Sequence, residues 1–591
     1  MKIGLWAAVK KREVAVLGVI CFSLVACTHR KLEPPNTLHL STEAKIKGLD
    51  PIFADDVYAG LQTSQVYETL LQYHYLKRPY VLVPLLADSM PTISQDGLTY
   101  TFPIKKGVLF QDDRAFAATE GKGREMTAED VVYSFKRLAD PKLVSSGWWI
   151  LDGKVAGLNA WREMASRSKV TDYTSDVEGL KALDRYTVQI KLTKRSAQFL
   201  YSLAMPFTAI VPKEAVETYG KEFLNHPVGT GPFRLAEYNP NSKIIWDKNP
   251  TYRKELYPSE GEAGDREAGL MEDAGKSLPL SDRIVVQVMV ERQPAWLNFL
   301  AGKLDMSAIP KDNFASAITP TQELSQELKA KGIQLTKSPS IDITHGAFNM
   351  EDPVLGKNKY LRQAISLAYD EATFINLFFN GRAIPAQGPI PPGLAGYDAS
   401  LKNPYRQFNI AKARDLMIKA GYPGGQGLGP LEYSTTAETL GRQQAEYAQK
   451  MMEAIGVKLK VNSYSWPQFT EAVKNKKAQL WDQAWLADYP DAENFLQLFY
   501  SKNATPGPND SNYSNPEYDR LYEKALTLSD GPERTDLYQK MVAIVVEDCP
   551  WIFGSHRLSY VLTQPWLKNY KPNDFDHGRW KYYRVETNLR K

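Results

Sequence analysis

The chain has 591 residues, of which 43% are hydrophobic, 24% charged and 11% aromatic, with a formal net charge of +4. The length exceeds what one hydrophobic core serves and predicts roughly two to four domains. The composition excludes a disordered or collagen-like chain.

The first segment is not part of the fold. Lys10, Lys11 and Arg12 precede the apolar stretch Val14–Val25, which is too short to span a bilayer. It ends in Leu24-Val25-Ala26-Cys27, which resembles a bacterial lipobox. The expectation is a lipoprotein signal peptide at 1–26, an acylated Cys27, and a polar tether at 27–37 containing Pro34-Pro35. An ordinary signal peptide or a short anchor with an incidental cysteine is the alternative.

Cleavage removes four basic residues and one acidic residue. The mature chain then carries 68 basic and 67 acidic residues, a net of +1, so charge gives no case for nucleic acid. Of three cysteines only Cys549 stays unmodified, which excludes an internal disulfide. No other apolar run reaches membrane-spanning length, so the rest is expected to be soluble.

Folded sequence starts at Leu38–Leu40. The small and charged stretch Ala115–Arg124 reads as a mobile loop. Thr127-Ala-Glu-Asp130 reads as a capping box opening a helix, with Val131, Phe135 and Leu138 on one face and Pro141 beyond its end. Thr187–Leu192 and Ile284–Val290 read as strands. The acidic, Gly-rich stretch Glu255–Lys276 between them reads as a second mobile, solvated loop. Leu361–Phe379 predicts one long helix ending before Gly381, and Ile410–Ala420 another, closed by Gly421 and Pro423. Tyr447, Met451 and Ile455 mark a helix that stops at Gly456 and leads into a strand at Val457–Val461. No repeat of solenoid or propeller period occurs. The class is α/β.

Residues 485–495, W-L-A-D-Y-P-D-A-E-N-F, follow the apolar/polar run Gln479–Ala484. Asp488, Asp491 and Glu493 stand there among Trp485, Tyr489 and Phe495. This pattern predicts an acid held between aromatic walls at a strand end. Its positive partner is an internal Lys or Arg, or else the ligand.

Catalytic signatures are lacking. The sequence has no G-x-x-x-x-G-K-[ST] loop and no G-x-S-x-G elbow. His29, His39, His74, His226, His345, His556 and His577 are scattered, and none falls in a close ligand pair. Gly425–Gly429 reads as a loop rather than a dinucleotide site. Asp55-Asp56 has the chemistry for acid–base work, but paired acids are common on surfaces. The reading is a non-enzyme with no metal and no cofactor; a hydrolase or a structural envelope lipoprotein is the competing class.

An ordered set of segments carries a resemblance. It comprises Leu49-Asp50-Pro51, Tyr67-Glu68-Thr69-Leu70, Asp96–Phe102 (D-G-L-T-Y-T-F), Met126–Val131 and Pro227–Phe233 (P-V-G-T-G-P-F). Phe348-Asn349, Leu361–Ala364, Ala368-Tyr369-Asp370, Ala420–Pro423, the 485–495 segment and Glu547-Asp548 with Pro550 complete it. Together they resemble the family 5 extracellular solute-binding proteins, the oligopeptide and dipeptide receptors of ABC importers. The resemblance spans residues 38–560.

It implies a type II, two-lobed periplasmic-binding-protein clamshell with an extra inserted small domain. Lobe 1 would comprise 38–70, 195–335 and 555–591, the inserted domain 71–194, and lobe 2 336–554. It implies that Asp488 receives a peptide α-ammonium, and that Ala484, Trp485 and Leu486 form an edge that pairs with peptide backbone, with Trp485 walling a pocket. Asp55, Asp56, Val57 and Tyr58 would form the facing edge, and Gly229, Thr230 and Gly231 a tight turn near the cleft. Trp148-Trp149 is a further pocket candidate. Asp482 departs from the pattern, because some relatives place there a base that helps to hold a peptide carboxylate.

The implied protein is a monomeric receptor in the cell envelope, periplasmic or extracytoplasmic. It would be held to membrane lipid through Cys27 and deliver peptides to an ABC permease. A metal chelate, haem, opine or oligosaccharide is the alternative ligand.

Overall fold

The computed structural model describes residues 33–590. The expected signal peptide, Cys27 and the tether up to residue 32 lie outside the described residues.

Four principal sheets organise the chain. In the first, Thr37–Thr42 runs parallel to Arg283–Val288, followed by Lys243–Lys248 and Phe233–Asn239. Its alternating residues Leu38, Leu40, Ile244, Trp246, Ile284 and Val286 point into one core. The second is antiparallel, in the order Thr92–Ile93, Thr99–Pro103, Thr187–Lys191, Leu180–Asp184. Phe102, Val188 and Ile190 join the same core, so the first two sheets share one apolar interior.

The helix Ala128–Ala139 packs on the second sheet. Its start is the expected box, in which the Thr127 N–H donates to Asp130 Oδ2 at 2.8 Å.

The third sheet has the order Leu459–Tyr464, Leu431–Thr436, Leu480–Leu486, Asp342–Phe348, Trp551–Phe553. Side chains alternate between two cores. Ala347 and Trp481 enter one, while Phe348 and Leu480 enter the other. The fourth sheet joins Met306–Ala308, Ser555–Thr563 and Gln334–Pro339, with Ala383–Pro385 also on Ser555–Thr563.

The chain steps directly from a strand of one of these two sheets to a strand of the other at 340–341 and at Gly554. The crossings are adjacent: the Gly554 N–H donates to Thr344 O at 2.8 Å. A Cβ on Gly554 would stand 2.6 Å from that oxygen. The architecture is thus two lobes facing each other across a cleft. No helix among the described residues is long and apolar enough to cross a membrane.

Three expectations are corrected. The predicted helix Leu361–Phe379 is two helices, Lys359–Ala368 and Glu371–Phe379. Asp370 breaks it by capping the second, its carboxylate accepting the Thr373 N–H at 3.1 Å. Ala115–Arg124 is pinned rather than free: Phe116 is buried, and the Arg124 guanidinium is held by Asp130 and Glu214.

The third correction concerns the acidic stretch Glu255–Lys276, which is built into the fold. Tyr257 is 1% exposed and donates to Leu270 O at 2.8 Å. The acids face the basic C-terminal segment. Lys571 Nζ lies 2.7 Å from Asp265, Lys581 Nζ 2.9 Å from Glu255, and Arg584 Nε 2.7 Å from Asp273.

Candidate functional site

Asp488 stands two residues beyond the strand Leu480–Leu486, where it lines a cavity of about 350 Å³. One fully buried residue, Asn494, fixes it. The Asn494 amide donates to Asp488 Oδ2 at 3.0 Å, and its oxygen accepts the Asp488 N–H at 2.9 Å and the Trp485 Nε1–H at 2.9 Å.

The other acids of the segment have internal partners. Asp491 meets Arg534 Nη2 at 2.9 Å, and Glu493 accepts from the hydroxyls of Tyr489 and Tyr522. Asp488 has no ion pair with any basic side chain among the described residues. Burial pushes its carboxyl up to about 7; the Asn494 bond opposes this and the Glu493 charge adds to it. The question left open by the sequence therefore has a structural answer: the internal cation belongs to Asp491, and Asp488 is left facing the cleft.

The strand itself offers main chain to the cleft. The Ala487 N–H donates to Ile341 O at 2.9 Å, and the Asn349 N–H donates to Gln479 O at 3.0 Å. Odd-numbered residues thus bond toward the neighbour Asp342–Phe348. By the alternation of an antiparallel ladder, Asp482, Ala484 and Leu486 turn their N–H and C=O groups to the other side. There the strand Leu431–Thr436 pairs only at Leu480 and Trp481. Beyond that point no strand among the described residues continues the pairing.

Eight of the expected residues meet at this cavity: Asp55, Asp56, Val57 and Tyr58 on one wall, Ala484, Trp485, Leu486 and Asp488 on the other. The first wall differs from expectation. It is not an extended edge but the start of the helix Val57–Thr63, because Asp56 caps it by accepting the Ala59 N–H at 2.8 Å. The second Asp56 oxygen accepts the Trp466 Nε1–H at 2.9 Å, a bond between segments 410 residues apart in the chain.

Trp149 also lines the cavity, whereas Trp148 lies under the Arg162 guanidinium at 4.8 Å. Gly229, Thr230 and Gly231 do not line this cavity. A Cβ at Gly229 would be 2.0 Å from Val66 O, and Thr230 donates to Glu68 at 2.8 Å. Close backbone packing accounts for these glycines.

A second chamber of about 470 Å³ adjoins the first along Gln483, Ala484, Leu486 and Arg557. Asp482 lines it, bonded by the Tyr433 hydroxyl; burial pushes its carboxyl up to about 6. Glu371 lines it too, 3.1 Å from Arg406 Nη2. Burial pushes Glu371 up to about 7 against the pull of that arginine. Arg557 Nε donates to the buried Asp342 at 2.5 Å. His345 stacks on Trp551 with ring centroids 3.5 Å apart, and burial drives it down to about 3, so it stays neutral.

Asn494, Trp466, Glu371, Arg382 and Arg557 were not singled out by the sequence. Asn494 lay within the segment already highlighted, six residues from the acid it holds. The others reach the cleft from elements remote in sequence, where no local pattern marks them.

The sequence model described as bacterial extracellular solute-binding proteins, family 5 Middle, matches residues 81–507. The chain is 26% identical to heme-binding protein A of Haemophilus influenzae, over 93% of each sequence. It is also 26% identical to the dipeptide-binding protein of Escherichia coli, over 95% of this chain and 96% of the relative. Among solved structures it is similar to the ABC transporter-associated periplasmic binding protein DppA from Helicobacter pylori in complex with the peptide STSA. That similarity has a TM-score of 0.76 at 26% identity, covering 93% of this chain and 98% of the other.

Proposed function

The chain belongs to the family 5 bacterial extracellular solute-binding proteins, and from that premise we propose that it is the peptide receptor of an ABC importer. The observation that carries this reading is Asp488: an acid with no internal cation, at the end of a strand whose outer main-chain groups face a cavity.

A peptide α-ammonium supplies the missing charge. Such a charge-assisted bond contributes on the order of 1.5–3 kcal/mol net. The peptide backbone then adds a strand along Asp482, Ala484 and Leu486, which is β-augmentation and leaves side chains to the pocket walls. Closing the lobes over the ligand removes these bonds from water. The lobe boundaries given above are part of the proposal. The adjacent crossings at 340–341 and Gly554 support the division between lobe 1 and lobe 2, while the core shared by the first two sheets ties the inserted domain to lobe 1.

Delivery to a membrane permease follows from the family role. Anchoring through an acylated Cys27 in the cell envelope completes the proposal. Labelled palmitate entering the parent but not a Cys27→Ala variant is the expected result, and equal labelling removes the anchor.

Mass spectrometry of ligand carried through gentle purification tests the substrate class. Peptides of several sequences are expected; haem or another non-peptide solute would move the assignment to that ligand. Product formation from incubated peptides would instead make the protein a hydrolase.

A further inference from the structure

Three arginines line the second chamber, a fourth, Arg406, stands behind Glu371 on its wall, and three of the four are matched. Arg557 is paired with Asp342, Arg292 with Glu43 at 2.9 Å, and Arg406 with Glu371. The unmatched one, Arg382, lines the chamber without an ion pair among the described residues.

Its head is nonetheless held in place. Nε donates to Phe379 O at 3.0 Å, and the guanidinium carbon stands 4.6 Å from the Phe314 ring centroid and 5.5 Å from that of Tyr560. The backbone on either side is fixed as well. Gly381 takes a positive φ of 74°, and Ala383 starts the short strand paired with Arg557. A guanidinium has five N–H donors in a planar fork. This one is clamped by rings and two carbonyls, Nη2 donating to Ile309 O at 3.5 Å, which leaves the Nη1 donors with no protein acceptor among the described residues.

We propose that Arg382 binds a carboxylate of the ligand in the second chamber. This rests on the reading of the cleft as a peptide site and adds to it the second charge that the ligand must carry.

Two observations fit. Burial and the neighbouring Arg292 charge push Arg382 down to about 10, the direction expected of a cation that lacks an anion. The strand edge leads from Asp488 toward Asp482 over roughly 20 Å, about six residues of extended chain. A peptide held by its amino end at Asp488 therefore runs toward the second chamber.

The carboxylate has two sources, the peptide's C-terminus or an acidic side chain. Titration calorimetry with tri-, tetra-, penta- and hexaalanine, their C-amidated forms, and amidated peptides carrying one glutamate or glutamine separates them. For the length whose tail reaches the chamber, amidation is expected to weaken binding about 30-fold or more. Arg382→Gln should bind acid and amide alike, and Arg382→Lys should recover part of the difference. If amidation has no effect but the glutamate peptide outbinds the glutamine peptide only when Arg382 is present, the assignment stands with a side chain as the source.

If free peptides bind and N-acetylation abolishes binding, yet neither amidation, glutamate nor Arg382→Gln changes any affinity, Arg382 is not the anchor and the receptor reading survives. If no peptide binds at all, the peptide reading fails and this assignment falls with it. The amidation arm uses the unaltered protein, so it does not depend on any variant folding.

Discussion

Asn494 holds Asp488 at two points, donating to its carboxylate at 3.0 Å and accepting its backbone N–H at 2.9 Å. The same Asn494 oxygen takes the Trp485 indole N–H. One amide thus orients both the acid and the wall beside it. Asn494→Ala leaves two N–H groups without their acceptor, which costs about 1–3 kcal/mol for each that stays buried. We expect a lower melting temperature and weaker peptide binding although Asp488 is untouched. Parent-like affinity in a folded Asn494→Ala variant would show that Asp488 needs no such support.

Asp488→Asn removes the charge and keeps the shape. Free peptides should lose about 2–5 kcal/mol of binding energy, measured by calorimetry. The variant should no longer distinguish free from N-acetylated peptides. A variant that still prefers the free amino end would place the ammonium elsewhere.

The pH dependence has two opposite signs. Burial pushes the Asp488 carboxyl up to about 7 in the folded protein, against about 3.9 unfolded. Its protonated form contributes stability that is fully present below about pH 4 and lost as pH rises through about 7. Glu371 and Asp482, with values of about 7 and about 6, act in the same direction. In the proposed role of Asp488 the ionised carboxylate binds the peptide, so affinity should rise over the upper part of that window. Urea unfolding of the empty protein at pH 5 and pH 8 is expected to show a smaller drop in Asp488→Asn than in the parent. Equal drops would mean that Asp488 titrates normally.

Arg534 is 3% exposed and binds both oxygens of Asp491. Arg534→Met strands that carboxylate in a largely buried setting and should cost about 3–5 kcal/mol. Adding Asp491→Asn should return part of the loss, because the two effects share one contact. Additive losses in denaturant unfolding would mean the pair is not coupled.

Burial alone would raise the Glu255 carboxyl, but the charges of Lys581 and Arg253 hold it at about 2. A depressed carboxyl contributes stability above its unfolded pKa of about 4.3, lost as pH falls through about 2. Lys581→Met should therefore start acid unfolding at higher pH and speed hydrogen exchange across 255–276. Unchanged exchange in that segment would show that the basic C-terminal residues do not hold it.

Local signals in the sequence carried much of the fold. The Thr127 box, the strand periods and the glycines closing helices depend on neighbours a few residues away, and such features were legible. The break at Asp370 was not, because an unbroken apolar stripe and a capping aspartate compete at the same place. The acidic stretch misled for a different reason: its counter-charges, Lys571, Lys581 and Arg584, are some 300 residues downstream. The site shows the same limit. The segment 485–495 stood out by composition. Which of its acids lacks a cation depends on Arg534 and Tyr522, and whether the second chamber carries a spare base depends on Arg382; no local pattern ties these to it.

In the proposed receptor, Ala484 and Leu486 serve the cleft edge through atoms that every amino acid except proline supplies in full. Ordinary drift at these two codons therefore leaves the rail intact, and only a proline there would silence it. What the cell can take up is then inherited separately from the means of holding it. Mutations in the pocket walls can redraw the menu of accepted peptides over generations, while the strand that grips them needs no reinvention.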